Sequence, residues 1–368
     1  MRSDVKRVLV VDDSSTMRNI ISSVISRESD FEVVGTASDG VEAVEKHEEL
    51  CPDIVTLDLQ MPRMKGLDAL DAIIERRPTA VIVVSSLTKR SADITMQALE
   101  RGAFDYIPKP DARSCSEAFL DSLLRKLRAS ANADVRRVLE IRKERMKQTR
   151  EDQGNRRSSS QSDEVVDGFQ DSCIAIGIST GGPPALASLF ERLVPPLPPI
   201  VIVQHMPAAF TSSFAARLDA CSEIKVIEAQ GGEVLRPNQA LLAPGGKHLR
   251  LVRAGTKVVT EIDQEQSAVS GHKPSVDVMM WDAAAVFSGS CIGVIMTGMG
   301  YDGVAGCEAV SASGGIVLGQ DESSSDVYGM NKAAFKAGHV DLQFSLDELH
   351  ELIATKCSEL FGEMSTGV

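Results

Sequence analysis

Short apolar runs alternate with amphipathic stretches from residue 7 to about residue 125. The apolar runs are continuous, which is typical of strands buried on both faces of a parallel sheet. The stretches between them space their apolar residues as helices do. The predicted strands are 7–11, 31–37, 53–59, 80–86 and 104–108, and the predicted helices are 17–25, 41–50, 67–77, 94–102 and 116–127. This order predicts an α/β domain with a doubly wound, five-stranded parallel sheet.

A second α/β pattern begins at residue 173 and predicts another doubly wound sheet. Its predicted strands are 173–179, 200–205, 291–298 and 314–320, and its predicted helices include 184–193, 210–220 and 276–287. Residues 241–262, in contrast, have the pattern of a hairpin with glycines between apolar stretches. We therefore expect an antiparallel insertion in this domain.

The stretch that joins the two patterns differs from both in charge. Residues 125–157 contain 12 basic and 5 acidic residues, whereas residues 166–368 contain 12 basic and 23 acidic ones. No aromatic residue is interleaved with the basic ones of this stretch, which favours a solvated linker helix over a docking or nucleic-acid-binding segment. We predict a first domain over 1–125, a basic linker over 126–165 and a second domain over 166–368.

Composition narrows the function classes. The chain has 368 residues, 43% of them hydrophobic, and a formal net charge of -13, which disfavours general nucleic-acid binding. Its seven cysteines include no C-x-x-C pair, so neither a disulfide framework nor structural zinc is expected. The first residues lack the apolar segment of a secretory signal, and no apolar run is long enough to span a membrane. These features predict a reduced, cytoplasmic protein that neither binds nucleic acid nor inserts into a membrane.

Three carboxylates lie at the ends of two predicted strands of the first domain. Asp12 and Asp13 follow the first strand, and Asp58 lies at the end of the third. The carboxyl ends of parallel strands form the ligand-binding edge of such a sheet. Converging carboxylates repel one another unless a cation binds, and an all-oxygen donor set suits a hard ion. The sequence therefore predicts an Mg²⁺ site held by Asp12, Asp13 and Asp58.

A hydroxyl group and an ammonium group are predicted at the same edge. Ser85 lies at the end of the fourth strand and Lys109 follows the fifth. A carboxylate beside a metal and a lysine can accept a phosphoryl group, because the positive charges neutralise the transferring oxygens. We predict Asp58 as the acceptor, Lys109 as a phosphoryl contact and Ser85 as the hydroxyl that bonds the phosphoryl group. Taken singly, each of these residues is better explained as a cap or loop residue, and the prediction rests on all five together.

The first domain resembles the receiver domain of two-component response regulators over about 5–125. The resemblance rests on the motifs VLVVDDS, DIVTLDLQMPRMKGLD and VVSS and on the Lys109–Pro110 pair. It implies a flavodoxin-like fold, phosphorylation at Asp58 and Mg²⁺ as the cofactor of that reaction. It also implies that Tyr106 is an aromatic switch residue. The family commonly holds the bond that matches Lys109–Pro110 in cis.

A serine lies in a tight turn after the first predicted strand of the second domain. Residues 177–181 have the pattern G-x-S-x-G, and Pro183 and Pro184 lead into a helix. In such a turn the Ser179 hydroxyl projects near helix-terminal amides that can stabilise an oxyanion. Strand, glycines and helix are equally typical of a turn that holds a nucleotide phosphate, so the motif alone leaves both interpretations open.

His205 and Asp302 follow two other predicted strands of this domain. A serine hydroxyl is a poor nucleophile near neutral pH, so it needs a base and a carboxylate that orients the base. We predict that Ser179, His205 and Asp302 converge as nucleophile, base and orienting acid. Singly, His205 is explained as a structural histidine and Asp302 as a turn residue. Their order along the chain differs from that of α/β-hydrolases, so that fold is not implied.

The second domain resembles the catalytic domain of the protein-glutamate methylesterases of bacterial chemotaxis, over about 170–355. The resemblance rests on the motifs GISTGGPPAL, QHMPAAFTSSFAARL, LLAPGGKHLRL, HKPSVDVMM, TGMGYDG and QDESSSDVYGM. It implies a phosphorylation-activated serine hydrolase that demethylates γ-glutamyl esters on cytoplasmic helices of chemoreceptors, releases methanol and often deamidates receptor glutamines. A chemotaxis histidine kinase is the implied phosphodonor. Ser179 is the implied nucleophile, His205 the base and Asp302 its orienting residue, and the Met299 N–H matches the oxyanion hole.

Weaker candidates and departures accompany this resemblance. Thr180 and His272 are weaker candidates for site residues, and packing or capping explains His272 equally well. His248 is expected to belong to the hairpin. Residues 329–331 read Gly-Met-Asn where Gly-Met-Pro is expected. The linker is longer and more basic than is usual in the family.

Rival interpretations come from other function classes. The second half could bind DNA or a nucleotide without catalysis. Its acidic balance and the lack of a basic recognition helix argue against DNA, and the GISTGG turn lacks both the P-loop lysine and the G-x-G-x-x-G spacing. A third interpretation is an enzyme that acts mainly as a deamidase, and the sequence does not separate ester from amide preference.

Overall fold

The protein is represented by a computed structural model that describes residues 5–110, 117–144, 169 and 171–361. The chain divides into two compact units, Met1–Lys143 and Glu144–Val368. Within the described ranges, no helix combines the length and the apolar character that a membrane crossing requires.

The first unit is a doubly wound α/β domain, as predicted. Its sheet has the order β2-β1-β3-β4-β5, and all neighbouring strands run parallel. The strands are β1 (Lys6–Val11), β2 (Phe31–Ala37), β3 (Ile54–Asp58), β4 (Ala80–Ser85) and β5 (Asp105–Pro108), and the helices are α1 (Ser15–Ile25), α2 (Gly40–Leu50), α3 (Gly66–Arg76), α4 (Lys89–Glu100) and α5 (Glu117–Asn132). Strands β3 and β4 are buried at every residue because helices cover both faces of the sheet. Side chains of Ser14, Asp39 and Thr88 cap α1, α2 and α4 and define where these helices begin.

A further helix, α6, covers 135–144 and packs on the first unit. Val138 is buried in it, and the Arg142 guanidinium donates to the carbonyl of Ala103 at 2.9 Å. Leu139 lies against Gly102, where an added Cβ would be 2.8 Å from its Cδ2. The prediction of a solvated linker is therefore wrong for this part, which is helical and packed because Val138 and Leu139 meet a surface that Gly102 leaves open. Residues 145–165 of the predicted linker lie outside the described residues, and the domain boundaries stay a prediction.

The second unit is built on a seven-stranded sheet with the order β14-β13-β12-β6-β7-β9-β8, in which all neighbouring strands run parallel. Its strands are β6 (Cys173–Ile178), β7 (Ile200–Gln204), β8 (Lys225–Glu228), β9 (Gln239–Leu242), β10 (His248–Ala254), β11 (Lys257–Asp263), β12 (Cys291–Ile295), β13 (Ile316–Gln320) and β14 (Leu342–Phe344). Its helices are α7 (Gly182–Phe190), α8 (Ala208–Cys221), α9 (Val276–Phe287), α10 (Val304–Ala312), α11 (Met330–Lys336) and α12 (Leu349–Phe361). Strands β10 and β11 form the predicted antiparallel insertion.

The sequence does not predict the two edge strands β8 and β14. Both are short, and β14 exposes two of its three residues, so neither shows a strong apolar pattern. Leu241 and Leu242, predicted as part of the hairpin, belong to β9 of the main sheet, where they pair with β7 and β8. They join the main sheet because their buried side chains extend the apolar layer of that sheet.

The carboxyl ends of β12, β6 and β7 lie side by side at one edge of this sheet. Gly177 of β6 pairs with Ile295 of β12, and Ile178 of β6 pairs with Gln204 of β7. The loops that follow these strands therefore emerge together, and they carry the predicted serine, histidine and aspartate.

Candidate active site and phosphoacceptor site

The three predicted acidic residues of the first unit come together after β1 and β3. Oxygens of Asp12, Asp13 and Asp58 lie within 4.8 Å of one another. Asp12 and Asp58 are buried and Asp13 is exposed. The N–H groups of Ser14 and Gln60 donate to Asp12 and Asp58 at 3.0 and 3.1 Å and orient the two buried carboxylates. This all-oxygen donor set fits a hard cation such as Mg²⁺.

Lys109 joins the two buried carboxylates of this cluster. Its Nζ lies 2.8 Å from Asp12 Oδ2 and 2.9 Å from Asp58 Oδ2. Burial raises the pKa of Asp58 above its ordinary value, while the Lys109 ammonium opposes that rise and the Asp12 carboxylate adds to it. Asp58 is therefore a buried carboxylate beside a fixed positive charge, which can stabilise negative charge that develops there.

Two residues are buried here: Ser85, whose predicted bond to the phosphoryl group would act as a switch, and Tyr106, the predicted aromatic switch residue. The Ser85 carbonyl accepts the Lys109 N–H at 2.7 Å. Its Oγ lies 2.9 Å from Thr95 Oγ1, which donates its own hydrogen to the Ser91 carbonyl at 2.7 Å. Lys126 Nζ lies 4.9 Å from the centre of the Tyr106 ring. Burial raises the pKa of the Tyr106 phenol well above its ordinary value. Ser85 thus lies beside Lys109, while the switch roles of Ser85 and Tyr106 stay predictions.

Gly66 supports this site, although the sequence reasoning does not single it out within the MPRMKGLD motif. A Cβ at this position would overlap the carbonyl oxygen of Asp58, so only glycine lets α3 begin against the end of β3.

The expectation of a cis bond between Lys109 and Pro110 is wrong. Among the described residues the cis peptide bonds are Pro195–Pro196 and Lys273–Pro274, and Lys109–Pro110 is trans. The trans form is the lower-energy isomer of an X-Pro bond.

In the second unit, Ser179 and His205 lie next to each other at the ends of neighbouring strands. The His205 N–H donates to the Ile178 carbonyl at 3.1 Å, and the Ser179 N–H donates to the Thr297 carbonyl at 3.0 Å. The serine turn is thereby tied to the strands on both sides of it. No hydrogen bond joins the Ser179 hydroxyl to the His205 ring in the part of the chain that the structure describes, and the buried Nδ1 of that ring has no partner there.

Asp302 is fully buried and bonds the His205 ring. Its Oδ2 lies 2.7 Å from His205 Nε2. It also accepts the Ser275 hydroxyl at 2.7 Å and the Val276 N–H at 2.8 Å, both at the N-terminus of α9. Although burial acts in the opposite direction, the hydrogen bonds from His205, Ser275 and Val276 hold the pKa of Asp302 below its ordinary value. An ionised Asp302 favours the tautomer with the proton on Nε2 and a lone pair on Nδ1.

His272 contacts the candidate base directly. Its ring stacks on that of His205 with a centroid separation of 3.7 Å and an interplanar angle of 1°. The His272 backbone is held in a turn, since its N–H donates to the Val269 carbonyl at 2.9 Å. The stack covers one face of the His205 ring and restricts its rotation. This weaker candidate therefore belongs to the surroundings of the base.

His248 also supports the site, which the sequence reasoning missed. It begins β10, as expected of a hairpin residue, yet it is fully buried. Its Nδ1 accepts the Ser275 N–H at 3.3 Å, and its Nε2 lies 3.0 Å from the Ser267 carbonyl. The ring thus holds the residue whose hydroxyl donates to Asp302. Ser275 precedes the apolar helix α9, and its position in the sequence indicates an N-cap. No sequence signal connects this cap to His248.

The Met299 N–H lies on a peptide that packs against the serine. A Cβ added to Gly298 would be 2.7 Å from Ser179 Cβ. The Gly298 N–H donates to the Val327 carbonyl at 3.0 Å, and its own carbonyl accepts the Met330 N–H at 2.8 Å. These bonds hold the peptide between Gly298 and Met299 in place. The oxyanion role of Met299 stays a prediction.

The departure at 329–331 is accommodated locally. Asn331 is buried, and its side-chain amide donates to the Gln320 carbonyl and to Ser325 Oγ, both at 2.8 Å. A Cβ at Gly329 would overlap the carbonyl oxygen of Gly298, which explains the glycine that the motif retains. Asparagine thus replaces the expected proline with two buried hydrogen bonds.

Two solved structures are similar to parts of the chain. The methylesterase catalytic domain of CheB from Thermotoga maritima is 36% identical, with a TM-score of 0.49, and covers 50% of this chain and 98% of its own. The response regulator domain of Thermotoga maritima CheB is 49% identical, with a TM-score of 0.33, and covers 35% of this chain and 98% of its own.

Family models and curated relatives cover both units. Residues 174–353 match the model of the CheB methylesterase, and residues 8–118 match that of the response regulator receiver domain. A protein-glutamate methylesterase/protein-glutamine glutaminase of Pyrococcus horikoshii is 41% identical over 351 residues, which cover 94% of this chain and 92% of the relative. A protein of the same name, numbered 1, from Caulobacter vibrioides is 43% identical over 351 residues, which cover 94% of this chain and 96% of the relative. With identities at this level over nearly its whole length, the chain belongs to the protein-glutamate methylesterase/protein-glutamine glutaminase family.

Proposed function

We propose that this chain is a phosphorylation-activated serine hydrolase that demethylates glutamate γ-methyl esters on the cytoplasmic helices of methyl-accepting chemotaxis receptors. The observation that carries the proposal is the 2.7 Å bond between His205 and the buried Asp302, at the sheet edge where Ser179 also lies. The substrate class follows from the curated relatives. Removal of methyl groups from receptors is the chemistry of adaptation in chemotaxis, and we assign the chain that role.

Ser179 is the proposed nucleophile. Its oxygen attacks the ester carbonyl while its proton passes to Nδ1 of His205, the ring nitrogen that has no hydrogen bond among the described residues. Asp302 stabilises the resulting imidazolium through Nε2–H. The C–O bond then breaks, and the methoxy group leaves as methanol with the proton from His205. Water, activated by the same nitrogen, hydrolyses the acyl-serine and yields a glutamate side chain.

The Met299 N–H is the proposed donor to the carbonyl oxygen as that oxygen becomes negative. A donor held in place before the reaction stabilises the charge without reorganisation, and the bonds of the preceding glycine supply that rigidity. The same groups support deamidation of particular receptor glutamines, in which ammonia leaves in place of methanol. The names of the relatives include this second activity.

The first unit is proposed to receive a phosphoryl group on Asp58 from a chemotaxis histidine kinase. Asp12, Asp13 and Asp58 would hold Mg²⁺, which when bound neutralises charge on the transferring oxygens. Lys109, 2.9 Å from Asp58 Oδ2, is placed to bond the phosphoryl group. Ser85, whose carbonyl accepts the Lys109 N–H at 2.7 Å, is proposed to turn its hydroxyl hydrogen from Thr95 to that group. Tyr106 is the proposed aromatic residue of the switch.

Methanol release tests the proposed function. The protein is incubated with a receptor cytoplasmic fragment whose glutamates carry labelled methyl esters, and volatile label is measured against time. We expect release in proportion to the amount of protein, with mass spectrometry showing each ester converted to an acid. A fragment with glutamine at the same positions, which contains no ester, serves as the control and reports deamidation separately. If the esters stay intact after prolonged incubation with folded protein, the proposal is wrong.

Asp58→Asn is expected to abolish the increase in methanol release caused by acetyl phosphate and Mg²⁺, and to leave the unstimulated rate unchanged. The amide cannot form the acyl phosphate, whereas the second unit is untouched. Asp53→Asn is the matched control, because Asp53 lies in the same segment but bonds the Arg7 N–H at 2.8 Å, outside the acidic cluster. Stimulation of wild-type size in the Asp58→Asn variant would refute the assigned phosphorylation site.

A further inference from the structure

The side-chain amide of Gln204 lies between the strand ends that carry Ser179 and His205. Gln204 is the last residue of β7 and is buried, with 2% of its surface exposed. Its Nε2 donates to the Ser179 carbonyl at 3.0 Å and to the His205 carbonyl at 3.2 Å. Both partners are acceptors, so they require the NH₂ group of the amide and thereby define its orientation. One side chain thus connects the backbone of the proposed nucleophile to that of the proposed base.

Gly182 lies against the other end of this amide. A Cβ at position 182 would overlap Gln204 Oε1 and would lie 3.0 Å from Ile178 Cγ1. Gly182 begins α7 and is not among the described glycines with positive φ, so conformational freedom does not explain its presence. Its N–H donates to the Ser179 carbonyl at 2.8 Å. The physical reason for glycine here is therefore the space that the Gln204 amide occupies.

We propose that Gln204 is a positioning residue for the hydrolysis, and that position 182 is glycine because it must leave room for the Gln204 amide. The inference rests on the proposed function of Ser179 and His205. Gln204 holds the two backbone segments at a constant separation, on which proton transfer from Ser179 to His205 depends. An error of about 1 Å in such a geometry costs roughly 100-fold in rate, whereas a buried residue of this kind leaves substrate binding unaltered.

Gln204→Glu separates the hydrogen bonds from the shape. Glutamate has nearly the same size as glutamine, but a carboxylate has no donor, and a protonated carboxyl has one O–H where the amide has two N–H groups for the two carbonyls. We expect kcat for methanol release from the methylated receptor fragment to fall by at least about tenfold, as for the loss of buried hydrogen bonds, while KM stays within about twofold. A rise in KM with unchanged kcat would place Gln204 in substrate binding and overturn the inference.

A double-mutant cycle tests the connection to Gly182. Gly182→Ala alone is expected to lower kcat by at least about tenfold, because the added methyl group displaces the Gln204 amide. In a Gln204→Ala background, where that amide is absent, the same change is expected to cost less than about twofold. Effects that multiply as independent ones would overturn the inference. Gly293→Ala is the matched control, because a Cβ there makes only ordinary contacts of 3.5 Å or more.

Nitrogen NMR of the His205 ring makes the test independent of activity. The Nε2 signal of the wild type should be that of a ring nitrogen hydrogen-bonded to a carboxylate. Gln204→Glu and Gly182→Ala should both shift this signal, and Gly293→Ala should leave it unchanged. Thermal unfolding of each variant separates this shift from global loss of structure. If the ring signals respond as expected but wild type hydrolyses no ester, the positioning role stands and the proposed function fails. Unchanged ring signals in folded variants would overturn the positioning role.

Discussion

Replacing Ser179 with alanine is expected to lower methanol release from a methylated receptor by at least about 10⁴-fold, the size of effect found when a nucleophile of this kind is removed. The change deletes the oxygen that is proposed to form the acyl intermediate. The backbone bonds of residue 179 to Thr297 and Gln204 do not involve its hydroxyl, so the fold should be retained. The measurement is the initial rate of methanol release, with the unfolding temperature of each protein recorded alongside.

The neighbouring hydroxyl provides the control for this substitution. Thr180 lies in the same turn, and its carbonyl accepts the Thr297 hydroxyl at 2.9 Å. Thr180→Ala removes a hydroxyl group from the turn while keeping Ser179, so we expect it to retain most of the activity. If Ser179→Ala kept wild-type turnover, another residue would have to supply the nucleophile.

Asp302→Asn is expected to reduce kcat by about 10⁴-fold, on the order of the loss known when the orienting acid of a serine hydrolase becomes an amide. An asparagine in this position can donate to His205 Nε2 instead of accepting from it. The ring would then carry its proton on Nδ1, where the Ser179 proton has to go. The loss should therefore appear in kcat more than in KM.

The hydrogen bonds that Asp302 accepts make this expectation more specific. Its carboxylate accepts bonds from Ser275 and from two N–H groups of the α9 N-terminus, in addition to His205. Asparagine retains one acceptor oxygen for these donors, so part of the support survives. Asp282→Asn is the control, because Asp282 bonds Arg250 on the antiparallel insertion and not the candidate base. Equal losses in the two variants would indicate a general effect of removing a carboxylate from this unit.

The acidic site of the first unit could be predicted in detail because it depends on a general property of parallel sheets. Asp12 follows β1 and Asp58 ends β3, the two strands pair directly, and such strand ends meet at one edge. The same rule predicts the edge that carries Ser179 and His205. The rule does not extend to a residue such as Gln204, which reads in the sequence as the polar end of an apolar run.

His248 shows a second limit of prediction from the sequence. Its local sequence predicts a hairpin, and it does begin a hairpin strand. Its ring nevertheless bonds Ser275, 27 positions away along the chain. Local periodicity reports which face of a strand is buried, and it contains no information on which distant cap the buried ring meets.

The amino-acid sequence by itself determined two α/β units, the strand ends that carry Asp58, Ser179 and His205, and the residue types capable of the chemistry. Only the tertiary structure decided that Asp302 reaches Nε2 of His205, that Gln204 joins the two strand ends and that α6 packs on the first unit. The physical reason is that strands and helices follow from short-range patterns of burial. Hydrogen bonds between side chains far apart in sequence depend instead on how whole elements pack, and that packing is a property of the complete fold.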